Sequence, residues 1–165
     1  MIAVGNRALS DEGLAGRILR QVRHKVPPEV ELVDAGLPGP GLIDLLEARE
    51  KAVIVDAIDA GKPPGTVYRF GPDDVASTRP NRPCSLHQGD VLQYVRLAEA
   101  LGTGPGQVVF VGIQPERFSP GEELSPKVEA AVAEAAKLVI AEAASRFVPG
   151  PPRMPALAPP PAKSI

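Results

Sequence analysis

Hydrophobic positions in the first half of the chain alternate between short β-branched runs and helical stripes. The β-branched runs predict strands at Ile2 to Val4, Val30 to Val33 and Ala52 to Val55. The last of these is a continuous apolar run, which is typical of a strand buried on both faces of a parallel sheet. Apolar residues between the first two runs recur at the spacing of one helix face, at Leu14, Ala15, Ile18, Leu19 and Val22. A shorter stripe, formed by Leu42, Leu45 and Leu46, predicts a second helix.

The chain after Asp56 changes this pattern. Only about nine residues, including Pro63-Pro64-Gly65, separate Asp56 from the next predicted strand, Thr66 to Phe70. Because a crossover helix needs more residues than that, this strand is predicted to run antiparallel at an edge of the sheet. Gly71 to Pro83 is predicted to be a loop.

Helix start signals precede each helical stripe. Ser10 is a predicted N-cap of the first helix, and Ser85 with Gln88 matches a capping box before a stripe formed by Val91, Leu92, Val95 and Ala98. Another buried strand is predicted at Val108 to Val111. Ser125-Pro126 then predicts an N-cap and a proline at the first position of a last helix, which should end near Arg146 or Phe147.

These elements predict one α/β domain. Its fold class is a three-layer arrangement, in which a twisted, mostly parallel sheet with one antiparallel edge strand carries helices on both faces. We place this domain at residues 1–148. Residues 149–165 contain seven prolines among seventeen residues and few residues that could build a core, so this tail is predicted to be disordered.

Composition excludes several classes of function. A net charge of -2, with 4% aromatic residues and no basic stripe, argues against a nucleic-acid surface. No apolar run approaches the roughly 20 residues that span a bilayer, and no secretory signal is visible at Met1, so we expect a cytoplasmic protein. Cys84 is the single cysteine, which rules out an intrachain disulfide and a zinc site of paired cysteines.

Three possible metal ligands are predicted at the same edge of the sheet. Glu12 follows the first strand, Asp56 closes the central strand, and His87 begins a helix. Loops that leave the carboxyl ends of parallel strands form the ligand crevice of an open α/β sheet, so these side chains should converge. Two carboxylates and one imidazole suit a divalent ion such as nickel or zinc.

Structural roles remain open for each of these residues. Asp11 or Glu12 could complement the dipole of the first helix, Asp56 could cap a neighbouring loop, and a lone histidine such as His87 is more often structural than a ligand. A thiol and imidazole pair formed by Cys84 and His87 is a weaker alternative. His24, at the end of the first helix, is interpreted as a helix-end cation without a chemical role.

Five motifs occur in an order and spacing that resemble a known family, the maturation endopeptidases of nickel-iron hydrogenases. The similarity runs from about Ile2 to Phe147. Its motifs are Gly5-Asn6 with Ser10-Asp11-Glu12-Gly13, Asp34-Ala35-Gly36, Val55-Asp56-Ala57 with Pro64-Gly65-Thr66, Ser85-Leu86-His87-Gln88, and Gly112-Ile113-Gln114-Pro115-Glu116.

The resemblance implies a processing peptidase. In that family the metal-binding glutamate, aspartate and histidine match Glu12, Asp56 and His87, and nickel is supplied by the substrate. The implied partner is the precursor of a hydrogenase large subunit, from which a short C-terminal extension is removed once nickel has been inserted. Asp56 and Glu12 are the candidate catalytic residues, and the identity of the general base is left open.

The chain departs from the family pattern in its short first strand, in Ala15, where the family commonly has glycine, and in the proline-rich tail. Two alternatives to the peptidase follow from the sequence. One is a metal-sensing chaperone of hydrogenase assembly that binds the precursor without cutting it. The other is an α/β module that binds a small ligand in the same crevice, because the fold places ligands there whatever the function.

Overall fold

The computed structural model describes residues 1–76 and 86–145, apart from the side chains of residues 75, 76 and 86–90. The strands in this part of the chain are β1 Ile2–Val4, β2 Val33–Gly36, β3 Lys51–Ala57, β4 Val67–Phe70 and β5 Gln107–Ile113. The helices are α1 Leu14–Val22, α2 Gly41–Leu46, α3 Pro72–Ala76, α4 Leu86–Ala100 and α5 Pro126–Ala144. A 3₁₀ turn, Ser10–Gly13, leads directly into α1.

The strands form one mixed sheet in the order β2-β1-β3-β5-β4. β2, β1, β3 and β5 run parallel, whereas β4 pairs antiparallel with β5 at the edge. The predicted fold class and the predicted antiparallel edge strand are therefore confirmed. β3 and β5 are the central strands, and almost every residue of both is buried, which explains their unbroken apolar sequences.

Alternate residues of the central strands pack against helices on opposite faces of the sheet. Val53 and Val55 belong to the core cluster that includes α1 and α5. Ala52 and Ile54 belong to the second cluster, which includes α2 and α4. The two-residue period of the strands thus gives the three layers, and it also fixes the face to which each later residue of β3 belongs.

Two predicted boundaries in the first half are wrong. β2 begins at Val33 rather than Val30, because the amide of Val30 donates to the carbonyl of Pro27 and so belongs to a turn. Ser10 is not the N-cap of α1. Its φ is 43°, and its Oγ donates to the carbonyl of Ser119 at 2.5 Å instead of capping the helix.

The predicted loop after Gly71 contains a short helix, α3. Pro72 suits the first position of a helix, and the amide of Gly71 donates to Oδ2 of Asp74 at 2.7 Å, which is the geometry of a cap. Asp56 also lies within β3 rather than after it, because the pairing with β5 continues to Ala57.

The last helix begins at Pro126 after Ser125, as predicted, but it ends at Ala144 rather than near Arg146 or Phe147, because the backbone of Ser145 is already extended. Ser85, and the tail predicted from residue 149, lie outside the described residues. No helix within residues 1–76 and 86–145 is long and apolar enough to span a membrane.

Candidate functional site

Glu12 lies on the 3₁₀ turn, which contacts β3 at the carboxyl edge of the sheet. Gly5, at the end of β1, allows this placement. Its φ is 139°, and a Cβ built on it would lie 2.2 Å from the carbonyl oxygen of Glu12. A residue without a side chain is therefore required where the chain leaves β1 and turns back beneath Glu12.

Asp56 lies near the carboxyl end of β3 and is 4% exposed. It shares the strand parity of Ala52 and Ile54, so it belongs to the sheet face covered by α2 and α4. Its neighbour on β5 is Gly112, where an added Cβ would lie 2.5 Å from the carbonyl oxygen of Asp56. The absence of a side chain at Gly112 thus lets the backbone of β3 and the following residues lie close to β5.

Burial raises the pKa of Asp56 from 3.8 to about 8. Oδ1 of Asp56 accepts a 2.7 Å hydrogen bond from the amide of Ala57, which opposes the rise, and the nearby charge of Glu12 adds to it. The structure therefore brings Glu12 and Asp56 close enough to influence each other. A cation or a hydrogen-bond donor beside such a buried carboxyl group would stabilise its ionised form.

His87 is the second residue of α4. The residues that follow α4 lie close to those that precede β3, since the amide of Ala48 donates to the carbonyl of Thr103. α4 is fifteen residues long and packs along the sheet, so its other end, the first turn, lies at the carboxyl edge. It lies on the face to which Asp56 belongs. The side chain of His87 and the whole of Cys84 lie outside the part of the chain that the structure describes.

The described side chains include no group of three or more His, Cys, Asp and Glu residues placed to hold a metal ion. A set formed by Glu12, Asp56 and His87 extends beyond those side chains. The carboxyl groups of buried Asp56 and half-buried Glu12 fit a divalent ion, since both are oxygen ligands and an imidazole would complete the set. The three-ligand site stays a prediction.

Asp11, the neighbour of Glu12, has a structural role that the sequence left open. Its carboxylate is fully buried, and it accepts hydrogen bonds at 2.7 to 3.0 Å from the amides of Glu116, Arg117 and Ser125 and from the hydroxyl of Ser125. These partners lie more than 100 residues away in sequence. Asp11 therefore ties the 3₁₀ turn to the loop between β5 and α5, and Ser125 uses its hydroxyl for this contact rather than for capping α5.

Gln114 is a second buried polar residue at this edge, and sequence reasoning assigned it no role. It follows β5 directly and is 5% exposed. Its side chain makes hydrogen bonds to the segment that follows Asp56. Its place in the Gly112 to Glu116 motif was the only signal in the sequence, and a motif does not reveal which groups a side chain contacts.

An open cavity of about 490 Å³ lies at the ends of β1 and β2. Arg7 and Asp34, which form an ion pair, are among the residues that line it, and exposed Leu37 lies at its rim. Gly5 also lines this cavity and contacts the backbone of Glu12. The cavity therefore lies beside the turn that carries Glu12.

Comparisons with known proteins agree on one family. A family model described as hydrogenase maturation protease matches residues 17–142. The hydrogenase 2 maturation protease of Escherichia coli K12 is 33% identical over 146 residues, covering 86% of this chain and 87% of that protein. The hydrogenase expression/formation protein HoxM of Cupriavidus necator is 36% identical over 137 residues, covering 81% of this chain and 68% of that protein.

A solved structure supports the same grouping. The hydrogenase maturating endopeptidase HybD of E. coli superposes with a TM-score of 0.76 at 30% sequence identity, over 86% of this chain and 89% of that chain. The matched family model covers most of the sheet and the helices described above, including Asp56 and α4. The chain therefore belongs to the hydrogenase maturation protease family.

Proposed function

We propose that this protein is an endopeptidase that removes the C-terminal extension from the nickel-loaded precursor of a nickel-iron hydrogenase large subunit. The observation that carries the proposal is the pairing of Glu12 with buried Asp56 at the carboxyl edge of a hydrogenase maturation protease fold. The first turn of α4, which contains His87, begins at the same edge of the sheet, on the face to which Asp56 belongs. This edge is where the fold places ligands.

Nickel enters this proposal as part of the substrate. Carboxylate oxygens and an imidazole nitrogen are ligands that nickel accepts, so Glu12, Asp56 and His87 can complete the coordination of an ion that the precursor already holds. A precursor without nickel would offer these residues nothing to bind. Metal loading would then decide whether the precursor is cut.

The two carboxyl groups are the candidates for moving a proton during peptide hydrolysis. Asp56 is buried near Glu12, and a pair of carboxyl groups in unlike environments can divide the roles of proton donor and proton acceptor. Glu12 is half-buried and so remains closer to solvent. We propose that one of the two accepts the proton of the attacking water. We also propose that the protein acts in the cytoplasm.

The decisive experiment compares two forms of one precursor. Purified protein is incubated with the nickel-loaded large-subunit precursor and with the nickel-free form, and the intact mass of each precursor is followed. Loss of the C-terminal extension from the loaded form alone is the expected result. Cleavage of both forms would contradict recognition through nickel, and binding of the loaded form without a mass change would support the non-cleaving chaperone instead.

The proposed ligands are tested by substitution. Glu12→Gln, Asp56→Asn and His87→Gln each remove a ligand while keeping the size of the side chain, so each is expected to lower the processing rate at least about a hundredfold. Circular dichroism checks that each variant is folded. Glu134→Gln and His24→Gln, at exposed positions of α5 and the end of α1, are the matched controls and should process normally. Normal processing by all three site variants would refute the site assignment.

A further inference from the structure

The segment between β3 and β4, residues 58–66, is exposed at its tip but firmly attached to the protein. Residues 59–63 are exposed, and the segment begins two residues after Asp56. It crosses the carboxyl end of β5, because β5 lies between β3 and β4 in the sheet. We call residues 58–66 the crossing loop. It lies at the edge where Asp56 and Glu12 meet.

The side chain of Gln114 holds the tip of the crossing loop. Its Oε1 accepts hydrogen bonds from the amide of Ala60 at 2.9 Å, from the amide of Lys62 at 3.2 Å and from the hydroxyl of Tyr68 at 2.8 Å. Its Nε2 donates to Oδ1 of Asp59 at 2.9 Å. Both ends of one buried amide are therefore used to fix backbone and side chain of an exposed loop.

The backbone of Gln114 holds the far end of the same loop. The amide of Gly65 donates to the carbonyl of Gln114 at 2.9 Å, and the amide of Gln114 donates to the carbonyl of Thr66 at 2.8 Å. Gly65 also lies against α5, where an added Cβ would be 2.7 Å from the carbonyl oxygen of Lys127. Gln114 thus holds the loop at its tip and at its far end, while residues 59–63 are exposed to solvent.

We propose that Gln114 is a positioning residue, which holds the crossing loop as a preformed docking surface for the precursor polypeptide next to Asp56. This inference rests on the proposed function. A polypeptide whose scissile bond lies at Asp56 must pass along the groups that surround it at this edge, and the crossing loop begins two residues after Asp56. A loop ordered before binding spares the complex the entropy cost of ordering it afterwards.

The test separates binding of the precursor from the chemical step. Gln114→Ala removes the hydrogen bonds that the side chain of Gln114 makes to the crossing loop. We therefore expect KM for the nickel-loaded precursor to rise about tenfold, with kcat changed less than about twofold. Gln114→Glu keeps the three acceptor contacts but places a carboxylate oxygen where Nε2 lies 2.9 Å from Oδ1 of Asp59, so repulsion at the tip of the loop should raise its KM as well. Hydrogen exchange at the amides of Ala60 and Lys62 should become faster in Gln114→Ala.

A second variant tests the docking surface without disturbing a buried group. The side chain of Lys62 is exposed at the tip of the loop, so Lys62→Ala is expected to raise KM several-fold and to leave the unfolding temperature unchanged. Lys137→Ala, at an exposed position of α5, is the matched control and should change neither value.

Two outcomes would overturn the inference. One is an unchanged KM in both Gln114→Ala and Lys62→Ala. The other is a loss of kcat or of unfolding temperature in Gln114→Ala with KM preserved, which would leave Gln114 with a purely structural role. If the unchanged protein does not cleave the precursor, the proposed function fails by itself, and the dissociation constant of the precursor for the same variants then decides the inference.

Discussion

Asp11 and Asp56 are both buried aspartates at the same edge, but their surroundings give them different roles. Asp11 accepts four hydrogen bonds from the loop that leads to α5, which satisfies its carboxylate and fixes the loop. Asp56 accepts a hydrogen bond from Ala57 and lies beside the charge of Glu12. A satisfied buried carboxylate stabilises structure, whereas one that is costly to ionise is suited to binding a cation or a proton.

The raised pKa of Asp56 predicts how stability depends on pH in the metal-free protein. The folded state keeps this proton up to about pH 8, whereas an unfolded aspartate loses it near 3.8. Between these values the folded state binds more protons, so the contribution of Asp56 to the free energy of unfolding falls as pH rises, by at most about 1.4 kcal/mol per pH unit. Asp56→Asn cannot ionise, so it should gain stability relative to the unchanged protein over this range.

Chemical denaturation at a series of pH values, in the presence of a chelator, measures this difference. It should grow in favour of Asp56→Asn from about pH 4 to about pH 8 and change little beyond. Asp44→Asn, at an exposed position of α2, is the control. The same trend in both variants, or no trend in Asp56→Asn, would contradict the assignment of a proton to buried Asp56.

At the scale of secondary structure, Gly5 links the end of β1 to the turn that carries Glu12. Gly5→Ala would place a Cβ 2.2 Å from the carbonyl oxygen of Glu12 at a φ that alanine rarely adopts. We expect it to lower the free energy of unfolding by about 2 to 4 kcal/mol and to slow processing, because β1 or the turn must move. Denaturant unfolding and the precursor assay measure the two effects.

Gly39→Ala is the matched control for that substitution. Nothing lies within 4 Å of a Cβ built on Gly39. Its free energy of unfolding should change by less than about 0.5 kcal/mol, and processing should be unaffected. Equal effects of the two substitutions would show that the contact with Glu12 is unimportant.

The sequence predicted the strands and helices well where burial sets the pattern. β3 and β5 are buried on both faces, so their apolar runs were unambiguous, and the short connection after Asp56 sufficed to predict an antiparallel β4. Local signals failed where a distant contact prevailed. Ser10 matches an N-cap in sequence, yet its hydroxyl bonds to Ser119, 109 residues away.

The candidate site shows the same limit. The rule that ligands gather at the carboxyl ends of parallel strands predicted that Glu12 and Asp56 lie together, and in the structure the charge of Glu12 adds to the raised pKa of Asp56. The roles of Asp11 and Gln114 depend on partners such as Ser125 and Ala60, 114 and 54 residues away. No local pattern encodes such partners, so these roles could be found only from the folded chain.

At the scale of the whole molecule, the two ends of the parallel strands differ in the side chains that they carry. The carboxyl edge carries Glu12 and Asp56. On the other side, Lys51 at the start of β3 donates to the carboxylate of Glu142 at 2.7 Å, and Arg69 donates to the other oxygen at 2.6 Å. These pairs tie α5 to β3 and β4. Substitutions of Lys51, Arg69 or Glu142 should therefore act through stability, whereas those of Glu12 and Asp56 should lower processing.

The folded domain is predicted to be complete without the proline-rich tail. The described elements end with α5 at Ala144, and the last residue of α5 in the buried core is Val139. A chain that ends at residue 148 is therefore expected to keep the unfolding temperature of the full chain within about 2 °C, less than about 1 kcal/mol, and to process the precursor at the same rate.

A chain that ends at residue 134 is the control, because it removes Val139 together with Glu142 and its ion pairs with Lys51 and Arg69. It should fail to fold, since α5 covers one face of the sheet. Calorimetry and the precursor assay compare the three chains. If the chain that ends at residue 148 loses stability, the domain extends into the tail. If it stays stable but processes more slowly, residues 149–165 contribute to recognition of the precursor.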